Sequence, residues 1–176
     1  MVSIKEQGKV ESLQSLRGVE GAASAGYFAA FTLLFAESLH FYNRNRRPPK
    51  DPVNVCLSLA YTLFHHEAIN ALKIVGLDPA VGCYHELYYH RESLACDLLE
   101  PVRPMIDSWL WSLFRNRLLR PEDFVINPDS CIFNSAGKQR FYEAFYGKVD
   151  SIRLLLRRYA RIAAHTVEEF SHEQPY

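Results

Sequence analysis

The chain has 176 residues, 48% apolar and 23% charged, enough for one well-buried core, too short for two full domains, and too apolar for wholesale disorder. No run of eighteen apolar residues occurs, and the opening MVSIKEQGKVESLQ lacks an apolar stretch ending in a small-residue cleavage site. Neither a membrane span nor a secretory signal is indicated, and a cytoplasmic protein is expected. Twenty basic residues balance twenty acidic ones, so any affinity for nucleic acid must come from local clustering of charge.

In chain order, residues 13 to about 42 combine apolar residues at helical spacing with many alanines and predict a long first helix carrying Glu20 in its first turns. The segment NRNRRPPKDP, residues 43–52, packs four basic residues and three prolines into ten positions and predicts a basic loop. Helical spacing resumes over 53–75 and stops at Gly76 and Pro79. Residues 80–91 are short and aromatic, a turn or loop that carries His85. Ser93 suits the N-cap of a helix running to Leu119, kinked or broken near its start by Pro101 and Pro104. Within it Met105, Ile106, Trp109, Leu110, Leu113 and Phe114 mark a core face. A brief turn near Pro121, a short extended piece at 131–133 and a last helix from about 138 to 170 complete the chain. Long helices joined by short loops predict an all-α, multi-helix domain over 13–170, with 1–12 as a short lead and 171–176 as a tail.

Cys56, Cys83, Cys96 and Cys131 are scattered with no CxxC pair, which predicts reduced, mostly buried thiols and no zinc clip. Asp97 and Glu100 lie three apart on a predicted helix with Arg103 three further along, so all three share a side. Such a pair is a metal site or an ordinary solvated face, and the apolar neighbours Leu98 and Leu99 suggest carboxylates partly buried and in need of a counter-charge. Glu20 sits among Gly18, Gly21, Ala22 and Ala23, where an ionised side chain wants either an arginine or a cation. His85, among aromatics, is a ligand or a hydrogen-bonded packing residue. No His-Asp dipeptide occurs, which removes the simplest route to a phosphohydrolase of that type. Two basic clusters could track a phosphate backbone: Arg44, Arg46, Arg47 and Lys50 in the loop, and Arg153, Arg157 and Arg161 on the last helix, the latter alternatively a solvated face.

Four segments together resemble the catalytic C-terminal domain of the Cas1 family, the integrases that capture CRISPR spacers. They are LRGVEGAASAGYF around Glu20, NRRPPKDPVNVCLSLAYTL after the first helix, GLDPAVGCYH ending at His85, and SLACDLLEPVRPMID with Asp97 and Glu100. All four occur in the family's order and span residues 16–107.

The resemblance implies one divalent metal, magnesium or manganese, held by Glu20, His85 and Glu100. Asp97 matches an acid beside that metal, Arg103 a basic position near DNA phosphates, and Asn54 a structural polar residue. The implied activity is that of an endonuclease and integrase of CRISPR adaptation, joining the 3′-hydroxyl ends of spacer DNA to the CRISPR repeat by transesterification; water in place of the hydroxyl gives nuclease activity. Two carboxylates would offset the charge of the dication, and a neutral imidazole would tilt selectivity towards manganese. The implied partners are DNA, a second copy of the family dimer, a Cas2 subunit and, in some relatives, a fused reverse transcriptase; no membrane partner is expected. The family's N-terminal β-rich domain has no counterpart before residue 13, so the chain matches the catalytic lobe alone. Two other readings stay open: a non-catalytic helical module that binds DNA or serves assembly, and a correctly built lobe inactive without its dimerisation domain.

Overall fold

The computed structural model describes residues 13–85 and 91–173. Among these residues are five helices, α1 (Leu13–Thr32), α2 (Pro52–Ile74), α3 (Ser93–Leu99), α4 (Arg103–Arg115) and α5 (Ser135–Glu173), with short 3₁₀ turns and one small hairpin of β1 (Phe124–Ile126) and β2 (Cys131–Phe133). The all-α expectation holds for the described residues, and the extended piece at 131–133 gains an antiparallel partner that pairs Phe124 with Phe133 and Ile126 with Cys131.

Helix α2 is the axis of the core. Asp51 caps it by accepting from the Asn54 backbone N–H at 2.8 Å, and Pro52, whose missing donor costs nothing in a first turn, follows at once. Its far end closes on Gly76 at φ 79°: Gly76 N–H bonds Lys73 O and Leu77 N–H bonds Leu72 O, at 3.2 and 3.1 Å. That is the left-handed helix stop for which glycine is suited. Between these ends Val53, Leu57, Ala60, Phe64, Ala68 and Leu72 form a buried stripe. It faces the stripe Phe141, Phe145, Val149, Ile152, Leu156 and Ala160 of α5, also buried and also spaced by threes and fours. Phe64 is the meeting point, its ring 5.1 Å from Phe145 and 6.0 Å from Trp109 of α4. An ion pair reinforces the seam, as Arg153 of α5 reaches Glu67 of α2 at 2.6 and 2.9 Å. Arg153 is thereby a structural tie, while Arg157 and Arg161 remain on the exposed face.

Three boundaries differ from the sequence expectation. Helix α1 stops at Thr32 and not near residue 42, because the chain turns back to pack Phe35 and Phe41 edge-to-face against Phe31, at ring separations of 5.0 and 6.1 Å. The expected helix from 93 to 119 is three pieces: α3, a 3₁₀ turn at Glu100–Val102, and α4. Pro101 and Pro104 are the cause, since a ring in a helix interior removes a donor and crowds the preceding turn. Ser93 is the first helical residue, and Glu92 occupies the cap position without a side-chain cap bond. Of the cysteines Cys56 and Cys131 are buried, Cys96 is half-buried and Cys83 is exposed.

Candidate metal and phosphate site

The loop after α2 is built around one carboxylate. Asp97, on α3, accepts backbone N–H bonds from Cys83 at 2.8 Å, Tyr84 at 2.9 Å and His85 at 3.1 Å, and its Oδ1 lies 2.5 Å from His85 Nδ1. Gly82 makes this wrap possible: a Cβ there would collide with the His85 carbonyl oxygen and stand 2.7 Å from Ser93 Cβ. Burial pushes the Asp97 carboxyl up, but the four hydrogen bonds outweigh it and hold the group below the ordinary carboxylate range. An ionised carboxylate only accepts, so His85 must present Nδ1–H to it, and in neutral imidazole the lone pair then sits on Nε2. Asp97 therefore fixes both the tautomer and the direction of His85.

Glu20, on α1, comes to the same end of the molecule, where its carboxylate accepts a hydrogen bond from the Tyr84 hydroxyl. Arg17, one turn earlier, donates to the Tyr84 carbonyl at 2.9 Å and lies 5.8 Å from the Tyr84 ring. Glu100, half-buried in the 3₁₀ turn between α3 and α4, pairs with Arg103 at 3.1 Å. Its carboxyl is raised by burial foremost; Arg103 opposes that, Glu20 adds to it, and His85 and Arg46 oppose it further. Four charged or chargeable groups from separate segments thus act on one carboxyl.

The basic loop divides. Arg44 turns inward: its Nη1 bonds Asn54 Oδ1 at 2.7 Å, its Nη2 lies 3.3 Å from Ser58 Oγ, and its guanidinium is 5.8 Å from the Tyr61 ring. Burial, with Arg46 second, lowers the Arg44 pKa to about 10. Asn54 and Ser58 thus hold the two terminal nitrogens of Arg44 in this fold, while its Nε is buried without a hydrogen-bond partner. Asn54 is fully buried, and also donates to Asn43 O at 2.8 Å and Asp51 Oδ2 at 2.6 Å. Arg46, Arg47 and Lys50 stay exposed. Arg46 and Arg44 edge a groove of about 490 Å³ whose other wall is α1, at Gly21, Ser24 and Ala25, immediately after Glu20. Arg103 is half-buried, and its guanidinium lies 5.2 Å from the centroid of the same Tyr61 ring.

Among the described residues, no group of three or more His, Cys, Asp or Glu side chains stands close enough together to clasp a metal ion. Glu20 and Glu100, though electrostatically coupled, each hold another partner, Tyr84 and Arg103 respectively. The donor set nonetheless suits a hard or borderline dication: two carboxylates and one imidazole whose Nδ1 is already committed to a carboxylate, the usual second-layer arrangement behind a metal-binding histidine. Sequence reasoning missed Tyr84, which holds Glu20, and a buried acid, Asp107, which accepts from Tyr27 and Tyr61. The signal for Asp107 was available, an acid at 103, 107, 110 spacing within the apolar face of α4.

Fold and site together define an all-helical domain with a carboxylate-braced histidine and two coupled acids at one end, rimmed by guanidinium groups. Residues 2–147 match the family described as CRISPR associated protein Cas1, and the chain belongs to that family. A relative from Thermodesulfovibrio yellowstonii, named CRISPR-associated endonuclease Cas1 1, is 43% identical over 148 residues, covering 83% of this chain and 46% of the relative. The chain therefore spans just under half the length of that curated relative. Among solved structures, a chain of a partial Cas6-RT-Cas1–Cas2 complex superposes with a TM-score of 0.84 at 26% identity, over 92% of this chain and 52% of that one. A casposase bound to integration product superposes with a TM-score of 0.77, also at 26% identity, over 90% of this chain and 50% of that one. Among the described residues no helix is long and apolar enough to cross a membrane.

Proposed function

We propose that this chain is the catalytic lobe of a metal-dependent DNA endonuclease and integrase of CRISPR adaptation. The observation that carries the reading is the Asp97–His85 pair, which aims His85 Nε2 away from its brace, on the side of the molecule where Glu20 and Glu100 influence each other. Glu20, His85 and Glu100 would hold magnesium or manganese, with Asp97 behind the histidine. When bound, such a cation supplies positive charge against the phosphate under attack and lowers the proton affinity of the attacking oxygen.

The other roles belong to the chain itself. Arg103, already turned towards the acids, is placed to take a phosphate oxygen once Glu100 has a stronger partner. Arg46, with Arg47 and Lys50 on the same loop, would hold the DNA backbone along the groove beside α1. In the joining direction a spacer 3′-oxygen forms a bond to a repeat phosphorus as the phosphorus bond to the repeat's own 3′-oxygen breaks. The number of phosphodiesters is unchanged and the proton passes from attacking to leaving hydroxyl. With water as attacker the same arrangement cuts. The similarity to a casposase bound to integration product and to a Cas1–Cas2 complex supports DNA and a Cas2 subunit as partners, and a complex that includes RT supports association with a reverse transcriptase.

Cleavage of branched DNA in manganese is expected, and it is lost in Glu20→Ala, His85→Ala and Glu100→Ala. Unchanged cutting in all three variants rejects the proposal. One observation favours a second reading: the two carboxylates already have Tyr84 and Arg103 as partners, as they would in a non-catalytic DNA-binding module. That module binds DNA with a steep salt dependence, and manganese leaves its melting temperature unmoved. A lobe that binds manganese but cuts only when joined to the family's β-rich domain is instead a catalyst awaiting assembly.

A further inference from the structure

Glu20 rides on a helix that packs weakly in this chain. Over residues 15–30 of α1 only Arg17, Val19 and Phe28 are even half-buried, and the first buried side chain is Phe31. Apolar burial therefore anchors the C-terminal end of α1 and leaves the turns around Glu20 to polar contacts. One of these reaches the buried core at Tyr27, whose hydroxyl donates to Asp107 Oδ2 at 2.8 Å. Asp107 is 2% exposed on α4, and its other oxygen accepts from Tyr61 of α2. Burial raises the Asp107 carboxyl and both tyrosine hydroxyls, so both tyrosines are donors and the carboxylate is shared between them.

The spacing gives this contact its meaning. Tyr27 lies seven residues after Glu20 on α1, and Asp107 lies seven residues after Glu100, reached through Arg103 by steps of three and four. Seven residues are almost two helical turns, about 10 Å, so members of each pair point the same way. The hydrogen bond ties α1 to α4 at Tyr27–Asp107, and about two turns earlier along each segment stand Glu20 and Glu100, the first acting on the charge of the second. A slip of one residue would move Glu20 by about 1.5 Å and turn it by about 100°.

We infer that Tyr27 and Asp107 are positioning residues, a register clamp anchored on the buried Asp107 that holds α1 against α4 so that Glu20 faces Glu100. The inference rests on the metal-site reading for its consequence but not for its test. Tyr27→Phe removes only the hydroxyl and keeps the ring stacked 5.6 Å from Phe31. In the full chain, amide hydrogen exchange over residues 15–26 is expected to rise at least tenfold in this variant, with α2 and α5 unchanged. Manganese affinity, measured by calorimetry, is expected to fall about tenfold, within the range for residues behind a metal ligand. In a Glu20→Gln background the same substitution should cost no further affinity, because the clamp acts through Glu20. Asp107→Asn, which keeps shape and one acceptor, should reproduce both effects.

Unchanged exchange over 15–26 overturns the clamp whatever the metal result. Faster exchange with unchanged manganese affinity, while Glu20→Gln weakens binding, overturns the positioning role, as does a full additive loss in the Glu20→Gln background. If Glu20→Gln itself leaves manganese affinity untouched, the metal-site proposal fails and the exchange data alone decide the clamp.

Discussion

Asp97→Asn tests the centre of the site most directly. The carboxylate serves four donors, two on each oxygen: the Cys83 and Tyr84 amides on Oδ2, and the His85 amide and Nδ1 on Oδ1. An asparagine has one acceptor oxygen, so in either amide orientation two donors face an NH₂ group. Hydrogen bonds to a charged group contribute about 1.5 to 3 kcal/mol each. With the side chain only 13% exposed, water compensates little. Two lost bonds therefore cost about 3 kcal/mol, taken at the low end because the loop can relax. That loss favours local opening of residues 82–85, so amide exchange at Tyr84 and His85 should accelerate about a hundredfold. Manganese affinity should fall by about 10- to 100-fold as His85 loses its direction.

The pH dependence supplies an internal control for the same variant. Asp97 titrates lower in the folded chain than unfolded, so its stabilisation is complete above about pH 4 and is lost as pH falls through the depressed folded value. Wild type should show accelerating exchange at those two amides on acidification, beyond the intrinsic trend, and Asp97→Asn should not. Wild-type exchange rates in the variant at neutral pH would refute the claim that this carboxylate organises the loop.

Gly82→Ala should disturb the same loop by steric means, costing about 2 kcal/mol in urea unfolding and weakening manganese binding, since the added methyl meets the His85 carbonyl and Ser93. Arg117 terminates α4 at φ 57°, with its amide on Phe114 O and that of Leu118 on Leu113 O. Arg117→Gly should relieve left-handed strain of about 1 to 2 kcal/mol, partly offset by the flexibility of glycine, for a net gain of about 0.5 kcal/mol in the urea midpoint. Arg153→Ala should cost about 1 to 2 kcal/mol, because Glu67, 17% exposed, loses a two-pronged partner. Glu67 sits below its ordinary pKa, chiefly through that bond. The wild-type excess over the variant should therefore persist above the unfolded value of Glu67, near pH 4.5, and shrink as pH falls further.

Much of this architecture is written in local patterns. The stripes on α2 and α5, the Asp51–Pro52 start and the Gly76 stop are each set by neighbours within one or two turns, which is why their positions follow from spacing and cap chemistry alone. The four motifs likewise carry the family and the candidate ligands Glu20, His85 and Glu100, because the resemblance resides in contiguous residues.

Long-range geometry decided the rest. Nothing in the composition of 33–42 ends α1 at Thr32; the end comes from aromatic packing of Phe35 and Phe41 onto Phe31, a contact between segments. Arg44 and Arg46 are chemically alike and two residues apart, yet one faces Asn54 and Ser58 while the other faces solvent beside the acids. Glu20 and Glu100 are eighty positions apart in the chain, and their approach depends on which turn of α1 meets which turn of α4. A side chain's type and spacing are properties of the sequence, whereas its partner is a property of the packed helices, since only folding brings distant donors and acceptors out of water and within bonding range.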